Sequence, residues 1–169
     1  ILKRGVIPSA LEFMEREALK RSSEYLKEAS INIEIPERIE AHLLVEVDGN
    51  DTDDLYNDAE IISEAISSLT EEDISVAEST QEQDKLWKLR RVVGEAVKMG
   101  SIYKEVDTVV PRSILPELLL MVKKIGEKYG FKTICYGHAG DGNLHVNIMK
   151  EGLTDLQWRE EVPKGIKEI

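Results

Sequence analysis

Hydrophobic and polar positions follow two periods along the 169-residue chain, and together they predict a mixture of helices and strands. Apolar residues three or four positions apart predict an amphipathic helix, whereas strict alternation predicts a strand with one buried face. The predicted helices cover residues 9–26, 51–68, 79–99 and 113–129, and a last one starts at 158. The predicted strands cover 39–47, 73–78, 106–110, 132–136 and 143–148, with two short extended pieces in 29–38.

Capping residues mark several of the helix boundaries. Ser9 is followed three residues later by Glu12, which is the spacing of a capping box, so the first helix is predicted to begin there. Ser79 or Thr80 is predicted to cap the third helix. Gly100 and Gly130 follow the last apolar residues of their helices, and each is predicted to end one.

The order of elements, α, β, α, β, α, β, α, β, β, α, predicts the α+β class. We expect an antiparallel or mixed sheet with the helices packed on one side and a ferredoxin-like repeat in the middle. The helices between strands are long enough to serve as crossovers, so a parallel sheet is the alternative. No glycine-rich phosphate loop follows the first strand, and no nucleotide site is predicted within this chain.

Composition narrows the class of protein. The length, with 41% hydrophobic and 33% charged residues, is sufficient for one core, so residues 1–169 are predicted to form a single domain. The net charge of −11 argues against a nucleic acid or an anionic membrane surface as partner. No apolar run is long enough to span a bilayer.

The single cysteine, Cys135, excludes an internal disulfide framework and is typical of a reducing compartment. It lies inside a predicted strand, so we interpret it as a small buried apolar residue rather than a nucleophile. The expected location is the cytoplasm, with membrane association only through partner proteins. The chain has no initiator methionine and stops inside a predicted helix, and we therefore expect it to be part of a longer protein.

The segment 137–147, Gly-His-Ala-Gly-Asp-Gly-Asn-Leu-His-Val-Asn, carries the candidate chemistry. Its Asp-Gly pair between extended runs predicts a hairpin. In the second strand Asn143, His145 and Asn147 alternate with apolar residues and therefore share one face, and the turn brings His138 back beside them. Two imidazoles with neighbouring amides predict a metal or substrate site. An ordinary polar hairpin is the alternative.

Arg90 is the second candidate. It lies beside the apolar face of the third helix, where its guanidinium could point into a cavity and bind a carboxylate through two parallel hydrogen bonds. A surface arginine packed over Trp87 is an equally supported interpretation from the sequence alone.

Four segments resemble the C-terminal part of the FAD-linked oxidases. This family includes the glycolate oxidase flavoprotein subunit, D-lactate dehydrogenases and D-2-hydroxyglutarate dehydrogenase. The matching segments are Pro-Ser-Ala-Leu-Glu-Phe-Met at 8–14, Leu-Trp-Lys-Leu-Arg at 86–90, Val-Val-Pro-Arg-Ser at 109–113 and the hairpin at 137–147. The hairpin motif is highly specific, and the other segments occur in the order found in the family.

The resemblance implies that this chain is a substrate-binding cap over a flavin, and that a separate domain binds the FAD. The parent protein is then an enzyme that oxidises a D-2-hydroxy acid to a 2-oxo acid. By the resemblance, His138 and His145 bind a divalent metal, commonly zinc, and Asn147 also faces the flavin. The residues that it assigns to substrate binding are Arg90, Lys104, Asn143 and Asn147.

In the family a third metal ligand and a histidine base lie further downstream, in a Ser-Gly-Glu-His-Gly motif that this chain does not contain. No catalytic residue is therefore predicted within the chain, and we expect the isolated chain to bind no FAD and to be inactive. The expected partners are the FAD-binding domain of the parent and the hydroxy acid, with an electron acceptor or other oxidase subunits as further candidates. The alternatives are a non-catalytic metal- or small-molecule-binding module and a docking domain.

Overall fold

The computed structural model describes residues 1–72, 74–99 and 101–169. Its strands are β1 Ala10–Glu15, β2 Ala41–Glu46, β3 Tyr103–Val109, β4 Lys132–His138 and β5 Asn143–Met149. Its α-helices are α1 Arg16–Glu28, α2 Thr52–Ser67, α3 Thr80–Lys98, α4 Leu115–Tyr129, α5 Asp155–Glu160 and α6 Val162–Glu168. These strands form one sheet in the order β2-β1-β4-β5-β3, and each neighbouring pair is antiparallel. The predicted α+β class is confirmed.

The register of the sheet places several polar residues on one face. Glu12 pairs with His138, Tyr136 pairs with His145, and His145 pairs in turn with Asp107. Directly opposite residues of neighbouring strands project to the same side, so these five side chains share one face. We call it the front face, and the opposite side the back face.

Helices cover both faces of the sheet. The front-face core contains apolar residues of α1 and α3, which are Ala18, Leu19, Leu26, Leu89, Val93 and Val97. The back-face core contains apolar residues of α4, α6 and β5, which are Leu118, Val122, Ile125, Val162, Leu144, Val146 and Ile148. The structure therefore corrects the predicted packing of all helices on one side, because the central strands carry buried apolar residues on both faces and each face needs cover.

The predicted ferredoxin-like repeat is not confirmed. β3, α4 and β4 form one split βαβ unit, since β5 lies between β3 and β4 and is antiparallel to both. The repeat would require a second split unit. β1 and β2 instead pair directly with each other, on either side of α1 in the chain.

The first predicted helix begins too early. Residues 10–15 form β1, and Ser9 does not cap a helix, because its hydroxyl donates a hydrogen bond to the carbonyl oxygen of Glu46. Glu12 projects toward the front face instead of closing a capping box. Pairing with a strand on each side outweighs the local capping pattern at this position. The helix itself starts at Arg16.

The later helices begin and end close to the predicted positions. Ser79 and Glu82 form a complete capping box at the start of α3. The Asp51 carboxylate accepts a hydrogen bond from the backbone N–H of Asp53 at the start of α2. Gly130 ends α4 in the left-handed region, with φ of 74°. Asp73 and Gly100, which were also assigned to element boundaries, lie outside the described residues.

Three further segments complete the comparison with prediction. Residues 74–78, which were predicted as part of a strand, form none in the described part of the chain. The pieces predicted as extended in 29–38 pair with none of the strands of the sheet. The last helix begins at Asp155, after a capping box formed by Thr154 and Gln157, and a second helix starts at Val162. Among the described helices, none combines the length and hydrophobicity that crossing a bilayer requires.

Candidate functional site

His138 and His145 lie side by side on the front face, at the turn end of the β4–β5 hairpin. Their ring centroids are 5.8 Å apart and the ring planes meet at 75°. Tyr136 lies beside them, with its ring centroid 5.1 Å from that of His145. The hairpin therefore brings the two predicted imidazoles together, because a seven-residue strand leads into the turn and another leads out of it.

Each imidazole approaches a carboxylate through its Nδ1 atom. His138 Nδ1 lies 2.8 Å from Glu12 Oε1 in a hydrogen bond. His145 Nδ1 lies 2.9 Å from Asp107 Oδ1 and 3.5 Å from Glu105 Oε1, but neither contact has the alignment of a hydrogen bond. A carboxylate at the second ring nitrogen is the usual device that orients an imidazole ligand of a metal.

Arg90 reaches the same cluster from α3. Its Nε donates a hydrogen bond to Glu12 Oε2 at 2.7 Å, and its Cζ lies 5.4 Å from the ring centroid of Tyr136. The side chain is only 13% exposed, yet its terminal nitrogens have no hydrogen-bond partner among the described residues. The surface position over Trp87 is occupied by Arg91, whose Cζ lies 5.8 Å from that ring.

Asn143 and Asn147 extend the cluster along β5. The Asn143 amide donates to Asp107 Oδ1 at 3.0 Å and to the carbonyl oxygen of Thr108 at 3.2 Å. Asn147 is fully buried, and its amide donates to the carbonyl oxygen of Ile134 at 3.4 Å. The Oδ1 atoms of both asparagines are buried without a partner among the described residues. Buried polar atoms without partners are rare, and they indicate a place that water or a ligand fills.

Lys104 does not join this cluster. Its Nζ lies 5.1 Å from the ring centroid of Trp158, which packs against the back-face core. The neighbouring residue, Glu105, pairs with Asn147 and projects to the front face in its place. The structure thus corrects the predicted grouping of Lys104 with Arg90, because a shift of one residue along a strand moves a side chain to the other face.

The spacing of the two imidazoles fits a shared cation. Metal–nitrogen distances near 2 Å place the centroids of two imidazole ligands about 5–6 Å apart, and the observed separation falls in that range. Within the described residues, however, no group of three or more His, Cys, Asp or Glu side chains could hold a metal ion. Metal binding by His138 and His145 therefore stays a prediction.

Four members of the cluster were missed in the sequence: Glu12, Glu105, Asp107 and Tyr136. Glu105 and Asp107 alternate with Lys104, Val106 and Thr108, so a longer strand starting at Tyr103 would have placed them on the face of His145. Glu12 lies between Leu11 and Phe13 in the sequence. Its place in the cluster follows only if residues 10–15 are predicted as a strand.

Cys135 is buried on the back face, as predicted. Burial, together with the nearby Glu15 carboxylate, raises the pKa of its thiol to about 12. We expect alkylation by iodoacetamide at pH 8 to be slower than for an exposed cysteine by on the order of a thousandfold, because the thiolate is the reacting species. Peptide mapping after labelling measures this rate. Rapid labelling of the folded protein would contradict the prediction, and unfolding should restore a normal rate.

Comparison with known proteins gives the family to which the chain is similar. A family model for the C-terminal domain of FAD-linked oxidases matches residues 1–164. The chain is 30% identical over 157 residues to a D-lactate dehydrogenase of Anaerostipes hadrus, covering 92% of this chain and 33% of the relative. It is 32% identical over 150 residues to a D-lactate dehydrogenase of Archaeoglobus fulgidus, covering 88% and 31%.

A third relative is the glycolate oxidase subunit GlcD of Escherichia coli, which is 28% identical over 150 residues, covering 88% of this chain and 29% of the relative. The chain therefore spans about a third of the length of each of these relatives.

Proposed function

The chain belongs to the FAD-linked oxidases, as a C-terminal domain of that family, and we propose that it is the substrate-binding cap of a flavoprotein that oxidises a D-2-hydroxy acid. The observation that carries this proposal is the front-face cluster. There a partly buried guanidinium, whose two terminal nitrogens have no hydrogen-bond partner among the described residues, is linked through Glu12 to one of a pair of imidazoles. A 2-hydroxy acid presents a carboxylate and an adjacent hydroxyl, which are the groups that these two kinds of side chain recognise.

In this proposal the residues of the chain bind and orient the substrate. The terminal nitrogens of Arg90 donate two parallel hydrogen bonds to the substrate carboxylate and neutralise its charge. The unpartnered Oδ1 atoms of Asn143 and Asn147 accept hydrogen bonds from groups bound over the front face. FAD, held in the proposal by the remainder of the parent protein, supplies hydride acceptance when bound.

The same proposal assigns a divalent cation, most simply zinc, to His138 and His145. Neutral imidazoles are common zinc ligands, and the ring spacing fits a shared ion. Polarisation of the substrate hydroxyl is the chemistry that such a cation supplies when bound. In this proposal the substrate and residues of the parent other than 1–169 supply the remaining ligands of the cation.

The proposal is tested with the full-length parent protein. Glycolate and the D and L forms of lactate and 2-hydroxyglutarate are assayed with an artificial electron acceptor, and bound zinc is measured by elemental analysis. We expect turnover of D acids, and a loss of bound zinc with at least a hundredfold lower turnover in His138→Ala and His145→Ala. His42→Ala is the matched control, because His42 lies on the outer strand β2 opposite Met14 and contacts neither imidazole of the cluster.

The other outcomes separate the alternatives. Bound zinc without turnover of any hydroxy acid would favour the non-catalytic binding module. Unchanged zinc content in both histidine variants would favour a docking domain. The isolated chain is expected to bind no FAD and to turn over nothing, so flavin absorbance in the purified chain would contradict the assignment of FAD to the rest of the parent.

A further inference from the structure

Glu12 contacts an imidazole and the guanidinium of the front-face cluster at once. Its Oε1 lies 2.8 Å from His138 Nδ1, and its Oε2 accepts a hydrogen bond from Arg90 Nε at 2.7 Å. We propose that Glu12 is a positioning residue that sets the tautomer of His138 and the direction of the Arg90 guanidinium. The inference rests on the proposed function, because the two groups that Glu12 holds are those assigned to the cation and to the substrate carboxylate.

The burial of Glu12 makes both contacts necessary. Its side chain is 9% exposed, and its strand β1 lies between β2 and β4. A carboxylate removed from water is stable only when its oxygens are paired. Arg90 supplies a permanent positive charge at 2.7 Å, and its guanidinium can only donate to the Glu12 carboxylate. A carboxylate accepts hydrogen bonds, so the hydrogen in each contact comes from the partner.

It follows that the hydrogen in the His138 contact is on Nδ1. In the neutral imidazole the lone pair is then on Nε2, which is the nitrogen left available for a cation. His138 is the last residue of β4 and its side chain is 48% exposed, so its own packing does not fix the ring. The contact of His145 is weaker, because Asp107 is 66% exposed and not aligned for a hydrogen bond.

Glu12 acts on Arg90 through a different part of that side chain. The hydrogen bond at Nε and the Tyr136 ring, whose centroid is 5.4 Å from Cζ, together restrain the guanidinium plane. Both terminal nitrogens stay available, so the arginine can bind a carboxylate without releasing Glu12. Glu12 of β1 therefore holds the Arg90 guanidinium of α3 and the His138 imidazole of β4 in a fixed arrangement.

The variant Glu12→Gln tests this role while keeping the shape of the side chain. Arg90 can only donate, so it takes the amide oxygen, and the amide N–H of the glutamine then faces His138 Nδ1. A donor at that position moves the imidazole hydrogen to Nε2. We expect the tautomer of His138 to invert, as measured by 15N chemical shifts and long-range couplings in the metal-free full-length parent labelled with 15N-histidine. The signal is assigned by its loss in His138→Ala.

The same variant is expected to bind zinc 10- to 100-fold more weakly, as measured by competition with a chromophoric chelator. KM for the hydroxy acid should also rise, because the guanidinium is no longer held in place. The matched control is Glu46→Gln. Glu46 also connects a strand to α3, through a 2.7 Å hydrogen bond from Trp87 Nε1, but it contacts no imidazole. The control should keep the wild-type tautomer and zinc affinity.

The outcomes distinguish this inference from the proposed function. An unchanged His138 tautomer in folded Glu12→Gln overturns the positioning role, even if the parent oxidises hydroxy acids. An inverted tautomer in a parent that oxidises none supports the positioning role and removes the proposed function. If Glu12→Gln does not fold, Glu12→Asp replaces it, because the shorter carboxylate cannot reach both partners. Zinc affinity should then fall at least tenfold, and unchanged affinity overturns the inference.

Discussion

Replacing Gly142 by alanine is expected to lower the free energy of unfolding by more than about 3 kcal/mol, since two separate costs add at this position. Gly142 has φ of 74°, which disfavours any residue with a side chain, and a Cβ there would overlap the carbonyl oxygen of Val110. The backbone cannot simply move away, because the N–H of Val110 donates to the carbonyl oxygen of Gly142 at 2.9 Å. The methyl group would therefore separate the hairpin turn from the end of β3.

Gly152→Ala is the matched control for this prediction. Gly152 has φ of 77°, and a Cβ there would meet no atom within 4 Å. Its replacement should cost about 1 kcal/mol, from backbone conformation alone. Chemical denaturation of the two variants and the wild type gives both values. Equal losses would show that the overlap with Val110 relaxes without cost, which would contradict the prediction.

The elements that were predictable from the sequence are those specified by nearby residues. The β4–β5 hairpin depends on alternation and on the Asp-Gly turn within 132–149, and α3 depends on Ser79 and Glu82, three residues apart. Such signals operate over a few residues, so they are visible in a single sequence. The same locality explains why His138, His145 and the two asparagines could be placed together.

The errors occur where distant pairing decides the structure. Glu12 has a local capping pattern, yet its two partners lie 78 and 126 residues along the chain. The face on which Lys104 lies depends on the register between β3 and β5, which no nearby residue specifies. The packing of helices on both faces likewise depends on which strands occupy the centre of the sheet. Local patterns carry none of this information.

The Glu12 contacts also connect stability with function. A carboxylate on a central strand is normally destabilising at a buried position, because its removal from water costs free energy. Its two partners, Arg90 and His138, are the groups proposed to bind substrate and cation. Any substitution that removes one partner therefore affects both the fold and the site, and the two effects must be measured separately.

Arg90→Ala is expected to reduce kcat/KM of the full-length parent for its 2-hydroxy acid by roughly 100- to 1000-fold. Two charge-assisted hydrogen bonds to a carboxylate contribute about 3–4 kcal/mol together, and each 1.4 kcal/mol corresponds to about tenfold. Arg90→Lys should lose about tenfold, because it keeps a cation beside Glu12 but not the planar fork. Arg91→Ala is the matched control, since Arg91 is 59% exposed and paired with Asp84.

The decisive measurement compares the hydroxy acid with its uncharged amide in each variant. If the terminal nitrogens of Arg90 bind the substrate carboxylate, the wild type should prefer the acid and Arg90→Ala should lose most of that preference. A purely structural role would instead lower the rates with acid and amide by the same factor, because removal of the guanidinium leaves Glu12 buried without its cation. Thermal unfolding of Arg90→Ala measures independently how much stability is lost when Glu12 is left without its cation. An acid-to-amide ratio that stays at the wild-type value would therefore contradict carboxylate binding by Arg90 and leave only its contact with Glu12.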